Sequence, residues 1–133
     1  MRIVITRWGL DAYLDLLHRG VLDRALYYEV LRPDIVRLRR RTDDPKFREP
    51  KFWGPAIDRS DLEVEDGWKM KWHNFGSGSV QLRLCVGLVG DDAYLCHAYV
   101  KTSAAQDKRM AGSLKDKIGL IRAGRHHERG ELP

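Results

Sequence analysis

The chain has 133 residues, of which 43% are hydrophobic and 32% are charged. This length predicts a single domain spanning residues 1–133, and the apolar fraction excludes an intrinsically disordered chain. No apolar run is long enough to span a membrane, and residues 1–7 become charged too early for a signal peptide. Two cysteines are too few for a disulfide-stapled secreted domain, so we expect a soluble cytoplasmic protein.

The net charge is modestly positive, with 24 Lys and Arg against 19 Asp and Glu, which gives +5. A surplus of this size is compatible with a nucleic-acid partner but does not establish one. The informative property is therefore where the cations lie in the fold.

The N-terminal third predicts one strand followed by helices. Residues 2–6 are β-branched and fit a short strand, and apolar residues from Leu10 then repeat with helical spacing up to Gly20. A second helical pattern starts at Leu22, and Pro33 either interrupts it or opens a new helix.

Residues 42–67 are rich in proline and acidic side chains, which predicts a long irregular connection closed by a turn at Asp66 and Gly67. Three strand patterns follow at 68–75, 80–89 and 93–101, separated by short Gly-containing turns that predict an antiparallel meander. Ser103 and Gln106 then form a capping-box signature, and an apolar stripe predicts a closing helix up to Gly124. The expected fold class is α+β, with the N-terminal strand and the meander in one sheet that packs against helices.

Successive side chains of a strand point to opposite faces of the sheet, so odd and even positions assign the residues of the meander to its two faces. One face is predicted to be nearly all core. The opposite face collects these polar and basic side chains: Lys69, Lys71, His73, Arg83, His97, Tyr99 and Lys101.

An exposed antiparallel sheet is normally polar, and lysines on strands discourage edge pairing. However, this face contains no Asp or Glu, and like charges side by side repel, so we favour an anion-binding site. Arg and Lys could neutralise a phosphodiester, and neighbouring cations would lower a Lys pKa towards a value suited to a general base. Tyr99 or Phe75 could stack on a base of single-stranded RNA. Without a carboxylate cluster we expect no metal and no cofactor.

These residues also resemble a known family. Trp68-Lys-Met-Lys71, a Gly/Ser turn, Leu82-Arg-Leu84, a hairpin and Ala98-Tyr-Val-Lys101 before a capped helix are similar to the RelE/ParE superfamily of toxins from type II toxin–antitoxin systems. HigB-like and phage-derived relatives are nearest, and the resemblance covers residues 66–124. It implies an antiparallel RelE-like sheet with two N-terminal helices and a C-terminal helix.

The resemblance further implies a bacterial endoribonuclease that cleaves mRNA without a metal, typically on the ribosome, through attack of the 2′-hydroxyl. It implies that Lys69, Lys71, Arg83 and Lys101 surround the scissile phosphate. Lys71 or Lys69 would be the general base, and Arg83 and Lys101 the phosphate stabilisers. RelE-type members often carry a C-terminal Tyr, but none follows Tyr99, so one of these histidines would supply the proton: His73, His97, His126 or His127. Arg109 is a further candidate for substrate binding.

Two alternatives remain open: a ParE-like poison of a DNA topoisomerase, and a non-catalytic module that binds RNA or an acidic protein. If the protein is a toxin, we expect a cognate antitoxin protein as its partner. The toxin would then be either a free monomer or part of a toxin–antitoxin hetero-oligomer. The region of Trp8, Tyr13, Tyr27 and Tyr28 is a candidate docking surface, although core packing is also expected there.

Overall fold

The computed structural model describes all 133 residues, Met1–Pro133. It has an α+β architecture in which helices cover both faces of one six-stranded sheet. The strands are β1 (Ile3–Thr6), β2 (Trp53–Ile57), β3 (Glu63–Phe75), β4 (Val80–Val89), β5 (Asp92–Val100) and β6 (Glu128–Leu132). Their order in the sheet is β2-β3-β4-β5-β1-β6.

The predicted meander is confirmed, but the expectation of a wholly antiparallel sheet is wrong. β3, β4 and β5 pair antiparallel in chain order, whereas β1 pairs parallel to β5. β6 then adds antiparallel to the other side of β1. The parallel pair arises because the chain crosses from β1 to the opposite edge of the sheet and returns through the meander.

The N-terminal helical region is continuous through Pro33. Helix α1 (Arg7–His18) follows β1 directly, and Thr6 caps it by accepting a hydrogen bond from the Gly9 amide at 3.0 Å. Next come α2 (Arg24–Leu26), a π-helical turn (Tyr27–Leu31), α3 (Arg32–Val36) and a 3₁₀ turn (Arg37–Arg40). Pro33 lies in the first turn of α3, directly after the π-helical turn, and has no N–H to donate to a carbonyl of that turn.

The segment 42–67 is more regular than predicted. It contains a 3₁₀ turn (Pro45–Arg48), the whole of β2 and the start of β3. Phe47 packs edge-to-face on both Phe52 and Trp53, which fixes the segment against the sheet. The expected turn at Asp66 and Gly67 is wrong, because both residues lie inside β3, where Asp66 has a positive φ of 60°.

Both faces of the sheet are buried, so the prediction of a single core face is wrong. One core lies under the N-terminal helices and includes Ile35, Met70 and Trp72. A second core lies under α4 (Ala104–Arg122) and includes Cys85, Leu114 and Ile118. A register shift between β4 and β5 beside Cys85 also reverses parity, placing Tyr94 and Cys96 on the α4 face together with Tyr99.

The capping box at α4 is confirmed: the Gln106 amide donates to Ser103 Oγ at 3.1 Å, and the Gln106 side chain accepts from the Thr102 amide at 2.7 Å. The two cysteines are free and buried, and burial raises the pKa of each thiol to about 12. No helix combines the length and apolar character needed to cross a membrane.

A buried carboxylate, Asp34, joins α3 to the sheet and to the 42–67 segment. It accepts hydrogen bonds from Trp72 Nε1 at 2.8 Å and from Lys46 Nζ at 2.7 Å. We expect Asp34→Ala to lower the free energy of unfolding by about 2–3 kcal/mol, because the indole N–H loses its only partner while buried. Urea denaturation measures this effect.

The matched control is Asp15→Ala, which removes a solvent-exposed ion pair to Arg19. It should change the free energy of unfolding by less than about 0.5 kcal/mol. Equal effects of the two substitutions would contradict the role given to Asp34.

Candidate anion-binding site

The strand register brings the predicted basic residues together on the α4 face of the sheet. Lys71, Arg83 and Tyr99 lie directly opposite one another on β3, β4 and β5. In the next row, Lys69 lies opposite Cys85, which lies opposite His97. We call Lys69, Lys71, Arg83 and Lys101 the cation cluster.

The cluster is not free of acid, which corrects the sequence prediction. Asp107 in the first turn of α4 accepts a hydrogen bond from Lys69 Nζ at 2.6 Å and another from the Tyr99 hydroxyl. Its carboxylate also lies 3.9 Å from Lys101 Nζ. Strand parity missed Asp107 because this carboxylate comes from a different element, although a helix that follows β5 and folds back on the sheet must bring its first turn here.

The Asp107 carboxylate is held in its charged form. Burial alone would raise its pKa, but the hydrogen bonds from Lys69 and Tyr99 and the charges of Lys69 and Lys101 together outweigh burial. The pKa of Asp107 therefore lies below its ordinary value. A single carboxylate is thus the counter-charge for all four cations of the cluster, and it accepts close hydrogen bonds from Lys69 and Tyr99.

Arg83 is the cation of the cluster that has a buried N–H group without an acceptor. Its side chain is buried, with Nη1 donating to the carbonyl oxygens of Leu82 at 3.1 Å and Trp72 at 3.4 Å. Its Nε is buried without any hydrogen-bond partner. Burial lowers the pKa of this guanidinium, and the charge of Asp107 opposes that shift. A buried N–H donor with no acceptor is costly, and an anion bound here would supply the missing acceptor.

Lys71 lies beside Arg83 and is half-buried. Its Nζ donates to the Pro50 carbonyl oxygen at 2.9 Å. Burial and then the neighbouring charges of Lys69 and Arg83 lower the pKa of Lys71, while Asp107 opposes them. A lowered pKa increases the fraction of neutral amine, which is the form that accepts a proton.

The two candidate histidines on this face differ in their surroundings. His73 is exposed, and both ring nitrogens lie 2.7 Å from an oxygen, one from the Gln81 side chain and one from the Lys51 carbonyl. His97 is half-buried and stacks on the Tyr99 ring at 6.0 Å. Burial and the Lys117 charge lower the pKa of His97 to about 4, so it is neutral at pH 7.

The predicted substrate-binding residues lie elsewhere or are already engaged. Tyr99 is buried with its hydroxyl bound to Asp107, so its ring cannot stack on a base. Phe75 is buried in the core under the N-terminal helices, on the opposite face of the sheet. Arg109 is exposed on the outer surface of α4, beside Asp58 and Ser113. Parity ignores the register shift near Phe75 and the presence of α4 over the face, which is why Phe75 and Tyr99 are buried. The substrate-binding roles of Tyr99, Phe75 and Arg109 stay predictions.

The C-terminal histidines are also remote from the cluster. His126 lies 2.9 Å from a Glu128 carboxylate oxygen and packs edge-on against Tyr94, and His127 offers its carbonyl oxygen to the Arg7 amide. No group of three or more His, Cys, Asp or Glu side chains is placed to hold a metal ion.

No protein-family model matches the chain, and no curated protein and no solved structure shows significant similarity to it. The geometry of the site therefore carries the functional argument. The cation cluster has two layers. In the buried layer beneath α4, Lys69 is bound to Asp107, which also accepts from the Tyr99 hydroxyl. In the outer layer, Lys71 and Lys101 are partly open to solvent beside Arg83, whose Nε has no partner.

We expect Asp107→Asn to lower the free energy of unfolding at neutral pH by about 2–4 kcal/mol, because Lys69 would be left buried without a counter-charge. The Asp107 pKa is depressed in the folded protein, so its stabilisation is present above the unfolded pKa and is lost as the pH falls through the folded value. Denaturation between pH 2 and pH 7 should therefore show a smaller acid-induced loss in the variant.

Asp116→Asn is the matched control, since Asp116 is an exposed carboxylate on the same helix. Its stability should follow that of the parent at every pH. If Asp107→Asn also left the stability unchanged, the ion pair with Lys69 would not hold α4 on the sheet.

Proposed function

We propose that this protein is a RelE/ParE-type toxin of a type II toxin–antitoxin pair and that it cleaves RNA at the cation cluster. The observation that carries the proposal is the buried Arg83, whose unpartnered Nε lies next to a half-buried Lys71 with a lowered pKa. This arrangement suits a phosphodiester, because the phosphate would accept from Arg83 while the amine receives a proton.

The layout of the chain supports the same proposal. A strand, N-terminal helices, a three-stranded antiparallel meander and a capped helix follow in the order that the resemblance implies. β2, β6 and the parallel pairing of β1 with β5 are additions to that expectation.

We assign different roles to the cations on the basis of their contacts. Lys69 is bound to Asp107 and buried, so it acts by raising the positive potential around Lys71 and not as the base. Lys71 is the proposed general base that removes the 2′-hydroxyl proton. Arg83 and Lys101 are the proposed donors to the phosphate oxygens, where negative charge builds up during the attack.

His73 is the proposed general acid. Its ring is exposed, and each ring nitrogen lies 2.7 Å from an oxygen atom. On substrate binding, the leaving 5′-oxygen would replace the Lys51 carbonyl as acceptor and take the proton. The products are a 2′,3′-cyclic phosphate and a free 5′-hydroxyl. The 2′-hydroxyl proton ends on Lys71, and the 5′-hydroxyl proton comes from His73. His97 is less suited to this role because it stays neutral and half-buried.

We expect Lys71→Gln and His73→Gln each to slow RNA cleavage by about 100-fold or more, since a positioned base or acid contributes on this order. The rate of cleavage by the parent protein should follow a bell-shaped curve with pH, because the reaction needs a neutral base and a protonated acid at the same time. The limb that reports Lys71 should have its midpoint below 10.5, because the pKa of Lys71 is lowered, and this limb should disappear in Lys71→Gln. Single-turnover cleavage of a defined mRNA, with and without translating ribosomes, measures both effects.

Lys115→Gln is the matched control, because it removes an exposed cation on the outer surface of α4. Its rate should equal that of the parent. Intact RNA under all conditions would reject the nuclease. Inhibition of DNA supercoiling with RNA left intact would then support the topoisomerase poison, and RNA binding without cleavage would support the binding module.

A further inference from the structure

The sheet carries an apolar cavity on the face opposite the cation cluster. It lies between the N-terminal helices and the strands and has a volume of about 270 Å³. Fourteen of its 15 lining residues are hydrophobic. Its floor includes Trp72, Leu82 and Ala98, and its outer wall includes Tyr13, Tyr27 and Tyr28.

The wall is built by an unusual piece of helix. Tyr27, Tyr28 and Leu31 belong to the π-helical turn. Such turns are rare in proteins, and those that occur are often found at functional sites. Edge-to-face contacts at 5.1 Å join Tyr13 to Tyr27 and Tyr27 to Tyr28. Tyr28 remains half exposed, so the wall reaches the surface there.

The size of the cavity indicates what could fill it. An apolar cavity of roughly 150 Å³ stays dry and binds benzene. A cavity of about 270 Å³ with almost purely apolar walls would therefore hold an alkyl chain of about eight carbons or an aromatic group of similar size.

Two arginines at the surface end of the wall give the site a charge preference. The Arg32 guanidinium lies 5.6 Å from the centre of the Tyr28 ring, and Arg24 is close enough to act on the pKa of Tyr13. None of the ion pairs in the chain includes Arg24 or Arg32. Asp23 caps α2 at the Leu26 amide and Asp15 pairs with Arg19, while the exposed Glu29 lies between the two arginines in the chain and forms an ion pair with neither.

We propose that this cavity binds a small amphipathic carboxylate, with its alkyl or aromatic body in the cavity and its carboxylate between Arg24 and Arg32. The apolar walls would supply the affinity, and the two arginines would select an anionic head group. The site does not depend on the proposed nuclease activity. It lies back to back with the cation cluster, because Trp72, Leu82 and Ala98 alternate along their strands with Lys71, Arg83 and Tyr99.

Calorimetric titration of the full chain with octanoate, 1-octanol and butyrate tests the proposal. Octanoate should bind one to one and raise the melting temperature by about 3 °C or more at saturation. 1-Octanol, which has the chain without the charge, should bind about 5- to 10-fold more weakly, and butyrate should not bind measurably. The absence of saturable octanoate binding would overturn the proposal, as would equal affinity for octanoate and 1-octanol.

Variants separate the cavity from non-specific adsorption. Ala98→Phe fills the floor of the cavity and should abolish octanoate binding. Arg24→Gln combined with Arg32→Gln changes only side chains near the surface and should reduce the affinity for octanoate to that for 1-octanol. Arg125→Gln, an exposed cation beyond α4, should bind like the parent. Unchanged octanoate binding in the Arg24→Gln, Arg32→Gln variant would refute the site even if Ala98→Phe failed to fold.

Discussion

The packing of α4 on the sheet depends on the Asp107 carboxylate, which accepts hydrogen bonds from Lys69 and Tyr99. Helix α4 lies across strands that carry a lysine, an arginine and a tyrosine, and burying these groups without partners would cost several kcal/mol. Asp107 satisfies Lys69 and Tyr99 together, which allows α4 to pack its apolar stripe on the sheet. The same contact leaves Arg83 short of a partner, since its Nε has none and the one nearby carboxylate is already engaged.

This division of one cluster into two layers connects stability to the proposed chemistry. The buried layer fixes charge in place, and fixed charge beneath α4 contributes to the lowered pKa of Lys71 at the open layer. The apolar cavity uses the other faces of the same strands, so the sheet separates a charged site from a hydrophobic one.

Alternation along the strands predicted much of the fold and part of the site. It placed Lys69, Lys71 and Arg83 on one face correctly, because β3 and β4 remain in register over that stretch. It failed at Tyr94 and Cys96, where the register shift reverses the faces. Such a shift depends on backbone pairing between strands, which leaves little trace in side-chain pattern.

Long-range contacts were beyond what local pattern could show. Asp107 lies in the first turn of α4, and only the docking of α4 on the sheet makes it the partner of Lys69. β6 was missed because its few residues are mostly charged and exposed, and it exists through pairing with β1. β2 was hidden for a similar reason, since its glycine and proline are typical of loops.

The most direct test of the central claim is to locate where RNA binds. Titration of the isotope-labelled protein with a 2′-O-methyl RNA, which cannot undergo 2′-hydroxyl attack, would map the bound surface by NMR. The account predicts that signals of Lys71, His73, Arg83 and Lys101 shift together and that affinity falls as salt increases. Shifts confined to the outer surface of α4 around Arg109 and Lys115, with the cation cluster unmoved, would contradict it.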